Sequence, residues 1–334
     1  DFSYSLPQGI QGPPYIAFRD GLLDGNPDDL IEWESGSYGT SVIPTKGFGF
    51  KQWNSSTAGP HLIREATGFI DRHVGADTGK PFFMHYCTES CHVPHTPPQT
   101  LAGKAVQGAT GDAHLDMLHE ADIQLGMLVD CLKKYGILEN TLIVFTSDNG
   151  GLARGKPGNK LLGHNSNAPL RGSKATIWEG GHRVPLIARW GDGTKTGSTI
   201  IPGTTSSALV GLQDIFATLA DLTSQTLQAE EGLDSQSFLP ALLQQDSSEL
   251  RHGLLVQAND GDGWGQRLAK AFRLDQWKLI ATKDREPIHL FNLSEDLSEQ
   301  HDLIENVEQK ARVATMLRDL NSILDSERST PIKR

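Results

Sequence analysis

The stretch that best indicates the fold is an apolar run ending in a polar turn, Thr141-Leu142-Ile143-Val144-Phe145-Thr146-Ser147-Asp148-Asn149-Gly150-Gly151. Its first six residues are β-branched or apolar, which predicts a strand covered on both faces, as in a parallel sheet flanked by helices. Asp148 and Asn149 follow, and their side-chain oxygens suit Ca²⁺ or Mg²⁺. Since ligands gather beyond the carboxyl ends of strands in open α/β sheets, this pair marks a candidate site. An ordinary Asp-Asn-Gly turn is the alternative interpretation.

The segments around this stretch alternate between strand and helix patterns. The predicted elements are a helix over 60–73, a strand over 82–87, a helix over 111–135, a strand over 182–190 and a helix over 211–222. Residues 1–57 predict mostly loop with short extended pieces. Residues 151–181 predict a loop of a length that is usually functional or disordered. This order of elements predicts an α/β fold.

The pattern changes after about residue 246. Four short strand-like runs follow one another at 254–256, 269–273, 277–281 and 288–291. Their spacing predicts an antiparallel meander, and apolar residues at helical spacing predict a closing helix over 306–325. We therefore expect an α/β domain at residues 1–245 and a smaller α+β subdomain at 246–334 that carries a four-stranded antiparallel sheet.

Length and composition exclude several classes of protein. The chain has 334 residues, a length that suggests two domains, and 21% charged against 37% hydrophobic residues is typical of a globular protein. A net charge of -11 without any Lys/Arg run disfavours nucleic acid and polybasic membrane surfaces. No apolar run approaches the ~18 residues of a membrane-spanning helix. Three cysteines do not suffice for a dense disulfide framework and disfavour a structural zinc site.

Two histidines stand three residues apart after the predicted strand at 82–87. They are His92 and His95, within Cys91-His92-Val93-Pro94-His95-Thr96-Pro97-Pro98, where three prolines stiffen the chain. A histidine at the end of a strand can donate a proton to a leaving group or bind an anion. The alternative interpretation is a rigid loop with solvated histidines.

Two basic residues lie in the long polar loop. Arg171 and Lys174 belong to a segment that begins with His164-Asn165-Ser166-Asn167 and leads back into the predicted strand at 182–190. Lysine as a point charge and arginine as a fork both suit a tetrahedral oxyanion. A solvated basic loop is the alternative.

Together these segments resemble the sulfatases, the arylsulfatase-like members of the alkaline phosphatase superfamily. The matching segments are Pro81-Phe82-Phe83, His92-Val93-Pro94, Thr141 to Gly151, Asn165 to Pro185, Trp277-Lys278-Leu279 and Leu290-Phe291-Asn292-Leu293. The resemblance implies an alkaline phosphatase-like sheet sandwiched by helices, incomplete at its N-terminus. It also implies hydrolysis of the sulfate monoester of a small molecule or a carbohydrate.

The resemblance assigns roles to four of the residues above. It implies that Asp148 and Asn149 are two ligands of an active-site Ca²⁺, for which Mg²⁺ is the alternative. It implies that Lys174 contacts the sulfate and the bridging oxygen, and that His92 lies near the leaving group. A sulfate ester needs a cation and fixed donors where negative charge develops, together with a proton source.

Three further residues are expected on the substrate side, namely His95, Asn165 and Arg171. His95 also offers a competing register for the leaving-group histidine, because some family members read Pro-His-Thr-Pro at this point. We expect His92 to take that role and His95 to be its neighbour. The resemblance also implies a periplasmic or secreted location.

The sequence departs from the family in one respect. The family nucleophile is a formylglycine made from Cys or Ser in a Cys/Ser-x-Pro/Ala-x-Arg segment, and Cys87, Cys91 and Cys131 lack that pattern. The nearest matches, at Ser166 and Ser329, lack the arginine. We expect the nucleophile, the first pair of metal-binding aspartates and a Gly-Lys-x-His segment to precede residue 1. A formylglycine-generating enzyme is then an expected partner of the parent protein, and this chain alone is expected to be inactive and to bind Ca²⁺ weakly.

Two other functions stay open at this point. One is a phosphodiesterase or phosphonate hydrolase of the same superfamily, which the upstream nucleophile and metal ligands would distinguish. The other is a non-catalytic relative that binds sulfated ligands. Its signature would be a native N-terminus at Asp1 and tight binding without turnover.

Overall fold

The computed structural model describes residues 1–27, 29–35, 43–152, 164–228, 230–245, 250–258 and 269–326. These residues form two compact units. The first contains the described residues of 1–138 together with residue 164, and the second contains those of 139–152 and 165–326. The expected domain boundary near residue 245 stays a prediction.

The first unit has seven strands. They are β1 (Tyr4–Ser5), β2 (Phe18–Arg19), β3 (Leu22–Leu23), β4 (Asp29–Ser35), β5 (Ile43–Gly49), β6 (Thr100–Leu101) and β7 (Lys104–Ala105). Strands β1, β2 and β3 form one antiparallel sheet, while β4 pairs with β5 and β6 with β7. The seven-residue pair β4–β5 is longer than the short pieces that the sequence predicts. The residues of this pair are not buried according to their hydrophobicity, since Leu30 is exposed while Gly47 is buried.

Two long helices complete the first unit and confirm the predictions for 60–73 and 111–135. They are α1 (Ala58–Gly75) and α2 (Ala113–Lys134). Asp112 caps the N-terminus of α2, where its carboxylate accepts hydrogen bonds from the backbone amides of the first turn. Ile63 of α1 and Ile123 of α2 share one apolar cluster with Leu101 and Val106.

The predicted buried strand at 82–87 is wrong. Among the described residues no strand pairs with this segment, and its residues are alternately exposed, with Phe83 at 67% exposure. A strand requires a partner for its backbone hydrogen bonds, and an apolar run does not itself provide one. The segment nevertheless contributes Tyr86 to the apolar cluster of α1 and α2.

The second unit contains strands β8 (Ile143–Thr146) and β9 (Leu186–Arg189), with helices α3 (Glu179–His182), α4 (Asp214–Leu222) and α5 (Leu239–Leu242). The strand predicted over 141–146 and the helix predicted over 211–222 are therefore confirmed in outline. Strand β8 pairs with β9 in antiparallel register, and Phe145 and Ile187 are exposed. The expectation of a strand covered on both faces within a parallel sheet is thus not met in the described part of the chain. Apolar composition does not specify the direction or number of partner strands.

The predicted meander and closing helix are confirmed. Strands β10 (Gly253–Gln257), β11 (Lys270–Leu274), β12 (Trp277–Ala281) and β13 (Pro287–Asn292) pair in that order, all antiparallel, and α6 (Lys310–Leu324) follows. One face of this sheet packs against Met316 and Leu320 of α6. The opposite face packs against Ile177 and Trp178, just before α3. The sheet thereby supports the loop that carries the candidate site. No helix in the described ranges is long and apolar enough to cross a membrane.

Candidate functional site

The candidate site begins at the turn that follows β8. Asp148 is exposed and forms no hydrogen bond or ion pair with any described residue. Asn149 is partly buried, and its Nδ2 donates to the Gly150 carbonyl at 3.0 Å. The oxygens that remain available to a ligand are therefore the Asp148 carboxylate and the Asn149 Oδ1.

Backbone hydrogen bonds join this turn to Lys174 and to α3. The Lys174 amide donates to the Gly151 carbonyl at 2.9 Å, and the Gly150 amide donates to the Gly181 carbonyl at 3.0 Å. Gly150 is needed for close approach, because a methyl group at this position would overlap the Gly180 carbonyl. The polar turn, the lysine and the short helix thus form one connected structure.

A cavity of about 460 Å³ lies at this junction. Its lining includes Asp148, Asn149, Lys174, His182 and Gln257. The structure therefore brings together three of the predicted site residues from two segments of the chain. The roles predicted for Asp148, Asn149 and Lys174 stay predictions. His182 and Gln257 are not among the residues predicted from the sequence.

Lys174 supplies the positive charge of the cavity. Among the described residues that line it, no other side chain is a lysine or arginine. The Lys174 ammonium forms no ion pair within the part of the chain that the structure describes. An ammonium without a carboxylate partner is suited to bind an anion.

A buried charged cluster lies behind the cavity wall. Lys278, Glu179 and Glu299 are each at most 1% exposed. The Lys278 Nζ lies 3.0 Å from the Glu179 Oε1 and 2.7 Å from the Glu299 Oε1. Burial alone would raise the pKa of Glu179, but the Lys278 ammonium reverses this effect and lowers it. The Glu299 Oε2 accepts from the Glu179 amide at 2.8 Å. The cluster therefore fixes the start of α3 on the C-terminal sheet.

Arg171 and Asn165 do not line this cavity. The Arg171 guanidinium carbon lies 3.5 Å from the centroid of the Trp178 ring, and its Nη1 donates to the Glu299 carbonyl at 3.0 Å. The Asn165 Oδ1 accepts from the Asn167 amide at 3.2 Å. Both residues make contacts that hold the loop in place. Their substrate-binding roles stay predictions.

The two candidate histidines of the first unit differ in accessibility. His92 is exposed, and its Nδ1 lies 2.9 Å from the Val93 carbonyl oxygen. His95 is 1% exposed, with its ring centroid 5.0 Å from that of His114. Burial, followed by His114, lowers the pKa of His95 to about 4. Accessibility therefore favours His92 as the residue that meets a ligand, although both assignments stay predictions.

The chain is similar to known sulfatases in sequence and in structure. A family model described as Sulfatase matches residues 42–225, more than half of the chain. An N-acetylgalactosamine-6-O-sulfatase of Bacteroides thetaiotaomicron is 27% identical, over 98% of this chain and 68% of that protein. A steryl-sulfatase of Rattus norvegicus is 33% identical, over 54% of this chain and 29% of that protein.

The fold is also similar to solved structures. A structure from work on glycosaminoglycan metabolism by Bacteroides thetaiotaomicron has a TM-score of 0.78 and 24% identity, and the match covers 98% of this chain and 73% of that one. The chain thus has the alkaline phosphatase-like α/β fold that the sequence predicts.

Proposed function

Because this chain is a member of the sulfatase family, we propose that its parent protein hydrolyses the sulfate monoester of a carbohydrate. One observation carries the proposal: Asp148, Asn149 and Lys174 line the same cavity. An acidic and an amide oxygen, beside an ammonium that has no ion-pair partner among the described residues, suit both a hard cation and an oxyanion. The name of one relative, an N-acetylgalactosamine-6-O-sulfatase, supports a sulfated amino sugar as the substrate.

In this proposal Lys174 binds the sulfate group. Its ammonium lies in the cavity without a carboxylate partner among the described residues, so it is available to a sulfate oxygen and to the bridging oxygen. Negative charge develops on the bridging oxygen as the ester bond breaks. A fixed donor at that position lowers the barrier, because it is already oriented before the reaction.

Asp148 and Asn149 are proposed to hold Ca²⁺, with Mg²⁺ as the alternative. Their oxygens fit a hard cation in kind, but Ca²⁺ prefers six to eight oxygen ligands. No group of three or more His, Cys, Asp and Glu residues in the described ranges could hold a metal ion. We therefore propose that further ligands come from other parts of the parent protein. A bound Ca²⁺ would supply positive charge next to the sulfate oxygens.

His92 is proposed as the proton donor to the departing alcohol. Its exposed ring is accessible to a ligand, unlike the buried ring of His95. The nucleophile is proposed to be a formylglycine in upstream sequence, produced by a maturation enzyme, so that this chain alone is inactive. We further propose a periplasmic or secreted location for the parent protein.

A calcium titration of this chain by calorimetry tests the ligand assignment. We expect weak binding, with a Kd above about 10 µM, the weak limit of calcium sensor sites. Asp148→Ala should abolish it, whereas Asp284→Ala should not, since Asp284 is exposed and lies outside the cavity. Binding tighter than about 1 µM, or binding that survives Asp148→Ala, would contradict the proposal.

A further inference from the structure

His182 and Lys278 meet behind the wall of the cavity. His182 lies at the end of α3 and lines the cavity, whereas Lys278 lies on β12 and is 1% exposed. The His182 Nε2 is 3.3 Å from the Lys278 Nζ. A lysine ammonium can only donate, so this contact decides which histidine nitrogen carries a proton.

The Lys278 ammonium has three polar neighbours. It donates to the Glu179 Oε1 at 3.0 Å, forms an ion pair with the Glu299 Oε1 at 2.7 Å, and lies 3.3 Å from the His182 Nε2. The last contact is a hydrogen bond only if the His182 Nε2 is unprotonated. A proton on Nε2 would place two donors against each other and leave one Lys278 donor buried without an acceptor.

The contact with Lys278 also decides the state of the second ring nitrogen. A His182 Nε2 that accepts from the Lys278 ammonium carries no proton, so the proton of the neutral ring lies on Nδ1. The ring therefore lines the cavity as a neutral group whose Nε2 has its partner within the protein.

The net effect of the surroundings of His182 also favours the neutral ring. Lys278 and Arg273 lower the pKa of His182, whereas Glu179, whose Oε1 lies 3.6 Å from the His182 Nε2, raises it. Burial, followed by the Lys278 ammonium, lowers the pKa of His182 to about 4. The ring is therefore neutral at physiological pH.

We propose that Lys278 is a positioning residue that holds His182 as a neutral ring, and that this ring is a specificity-determining contact for the alcohol part of the sulfate ester. The contact with the ester rests on the proposed function, whereas the state of the ring does not. Lys174 meets the charge common to all sulfates. A neutral ring instead contacts the attached group, and its effect on binding depends on the shape of that group, as it does for apolar pocket walls.

Nitrogen NMR of the full chain tests the state of the ring directly. With ¹⁵N-labelled histidine, the His182 signals are those absent from His182→Ala. At pH 7 we expect a protonated Nδ1 and a bare Nε2, and no protonation of the ring down to pH 5.5. A proton on Nε2 at pH 7, or a charged ring at pH 6, would overturn the proposal. His301, whose side chain is 83% exposed, is the exposed histidine used for comparison.

Substitution of Lys278 tests the positioning role. In Lys278→Met we expect the His182 pKa to rise towards its ordinary value and Nε2 to become protonated, while Lys278→Arg should keep the bare Nε2. An unchanged ring in Lys278→Met would overturn the role. If Lys278→Met does not fold, the spectrum of the unchanged chain and that of Lys278→Arg still decide the question.

Ligand affinity tests the contact with the ester. Sodium sulfate and N-acetylgalactosamine 6-sulfate are titrated into the chain and into His182→Ala. We expect the variant to bind the sugar sulfate about tenfold more weakly, the scale of one lost pocket contact, and free sulfate equally well. An equal loss for both ligands would overturn the contact. If the unchanged chain binds neither ligand, the contact fails, whereas the proposed function is tested separately by sulfate release from the parent protein. The NMR result decides independently whether Lys278 positions His182.

Discussion

The side chain of Asn167 holds the backbone of Gly151 from both sides. The Asn167 Oδ1 accepts from the Gly151 amide at 2.8 Å, and its Nδ2 donates to the Gly151 carbonyl at 3.1 Å. Asn167 is buried, so water does not replace these bonds easily. The turn that carries Asp148 and Asn149 is therefore fixed by a residue sixteen positions further along the chain.

Asn167→Ala is expected to loosen this turn. Loss of both bonds leaves the Gly151 amide without its acceptor, which lowers the free energy of unfolding by about 1–3 kcal/mol. Asn165→Ala is the matched control on the same loop, since Asn165 is exposed and its side chain accepts a single backbone hydrogen bond. Urea unfolding measures both variants, and equal small losses would contradict the role of Asn167.

Gly150→Ala is expected to disrupt the contact between the turn and α3. The added methyl group would overlap the Gly180 carbonyl, and backbone atoms cannot move aside as a flexible side chain can. We expect the free energy of unfolding to fall by about 1–3 kcal/mol. Gly126→Ala is the control, because Gly126 is exposed within α2 and a methyl group there meets nothing within 4 Å. The Gly126→Ala variant should be as stable as the unsubstituted chain or more stable by about 1 kcal/mol. A loss of stability equal to that of Gly150→Ala would contradict the close approach of Gly150 to α3.

The ion pair between Arg251 and Asp214 is expected to be essential for the stability of the second unit. Their side chains are 1% and 2% exposed, and the Arg251 Nη2 also donates to the Asp234 carbonyl at 2.6 Å. Arg251→Ala leaves a buried carboxylate without its cation and should lower the free energy of unfolding by about 3–5 kcal/mol. Arg285→Ala removes the exposed pair with Asp325 and should cost less than about 1 kcal/mol. Similar losses in thermal unfolding of the two variants would contradict this difference.

Glu120 and Glu89 form a buried acidic pair between α2 and the segment before His92. A methyl group at Gly59 would overlap both carboxyl groups. Burial, followed by repulsion from Glu89, raises the pKa of Glu120 to about 8, and burial raises the pKa of Glu89 to about 7. Tyr86 is the other titratable side chain that these two carboxylates affect. At neutral pH the folded chain therefore retains protons that the unfolded chain releases.

This pair gives the free energy of unfolding a defined dependence on pH. Because both pKa values are raised on folding, the stabilising protonated state is lost as pH rises from about 4.5 towards 8. Glu120→Gln removes one of the two groups. Between pH 5 and pH 8 we expect the free energy of unfolding of this variant to rise relative to that of the unsubstituted chain, by about 1.4 kcal/mol per unit of pKa shift removed. Glu308→Gln, at an exposed position, should show the same pH dependence of the free energy of unfolding as the unsubstituted chain. The same pH dependence in Glu120→Gln would contradict the buried acidic pair.

Local patterns in the sequence predicted the elements whose formation depends mainly on local spacing. Helix α2 and the four-stranded meander follow from apolar periodicity and turn residues, and the structure contains both. The strand at 82–87 failed because its formation depends on a partner strand, which an apolar run does not reveal. The direction of β8 against β9 was missed for the same reason.

The candidate site shows a similar division. Asp148, Asn149 and Lys174 line one cavity because backbone hydrogen bonds join the turn at 148–151 to the described residues around 174 and 181. His182 could not be identified from the sequence, because its significance comes from Lys278, ninety-six positions away. The stacking of Arg171 on Trp178 is likewise a tertiary contact.

The assignment of the cavity is decided by sulfate release from N-acetylgalactosamine 6-sulfate, measured for the intact parent protein and for its Lys174→Ala variant. We predict that kcat/KM falls by about 10²–10³, the cost of one lost donor to a developing oxyanion. Lys195→Ala, at an exposed position outside the cavity, should stay within twofold of the parent. Sulfate release by Lys174→Ala at the rate of the parent would contradict the assignment of the cavity as the sulfate ester site.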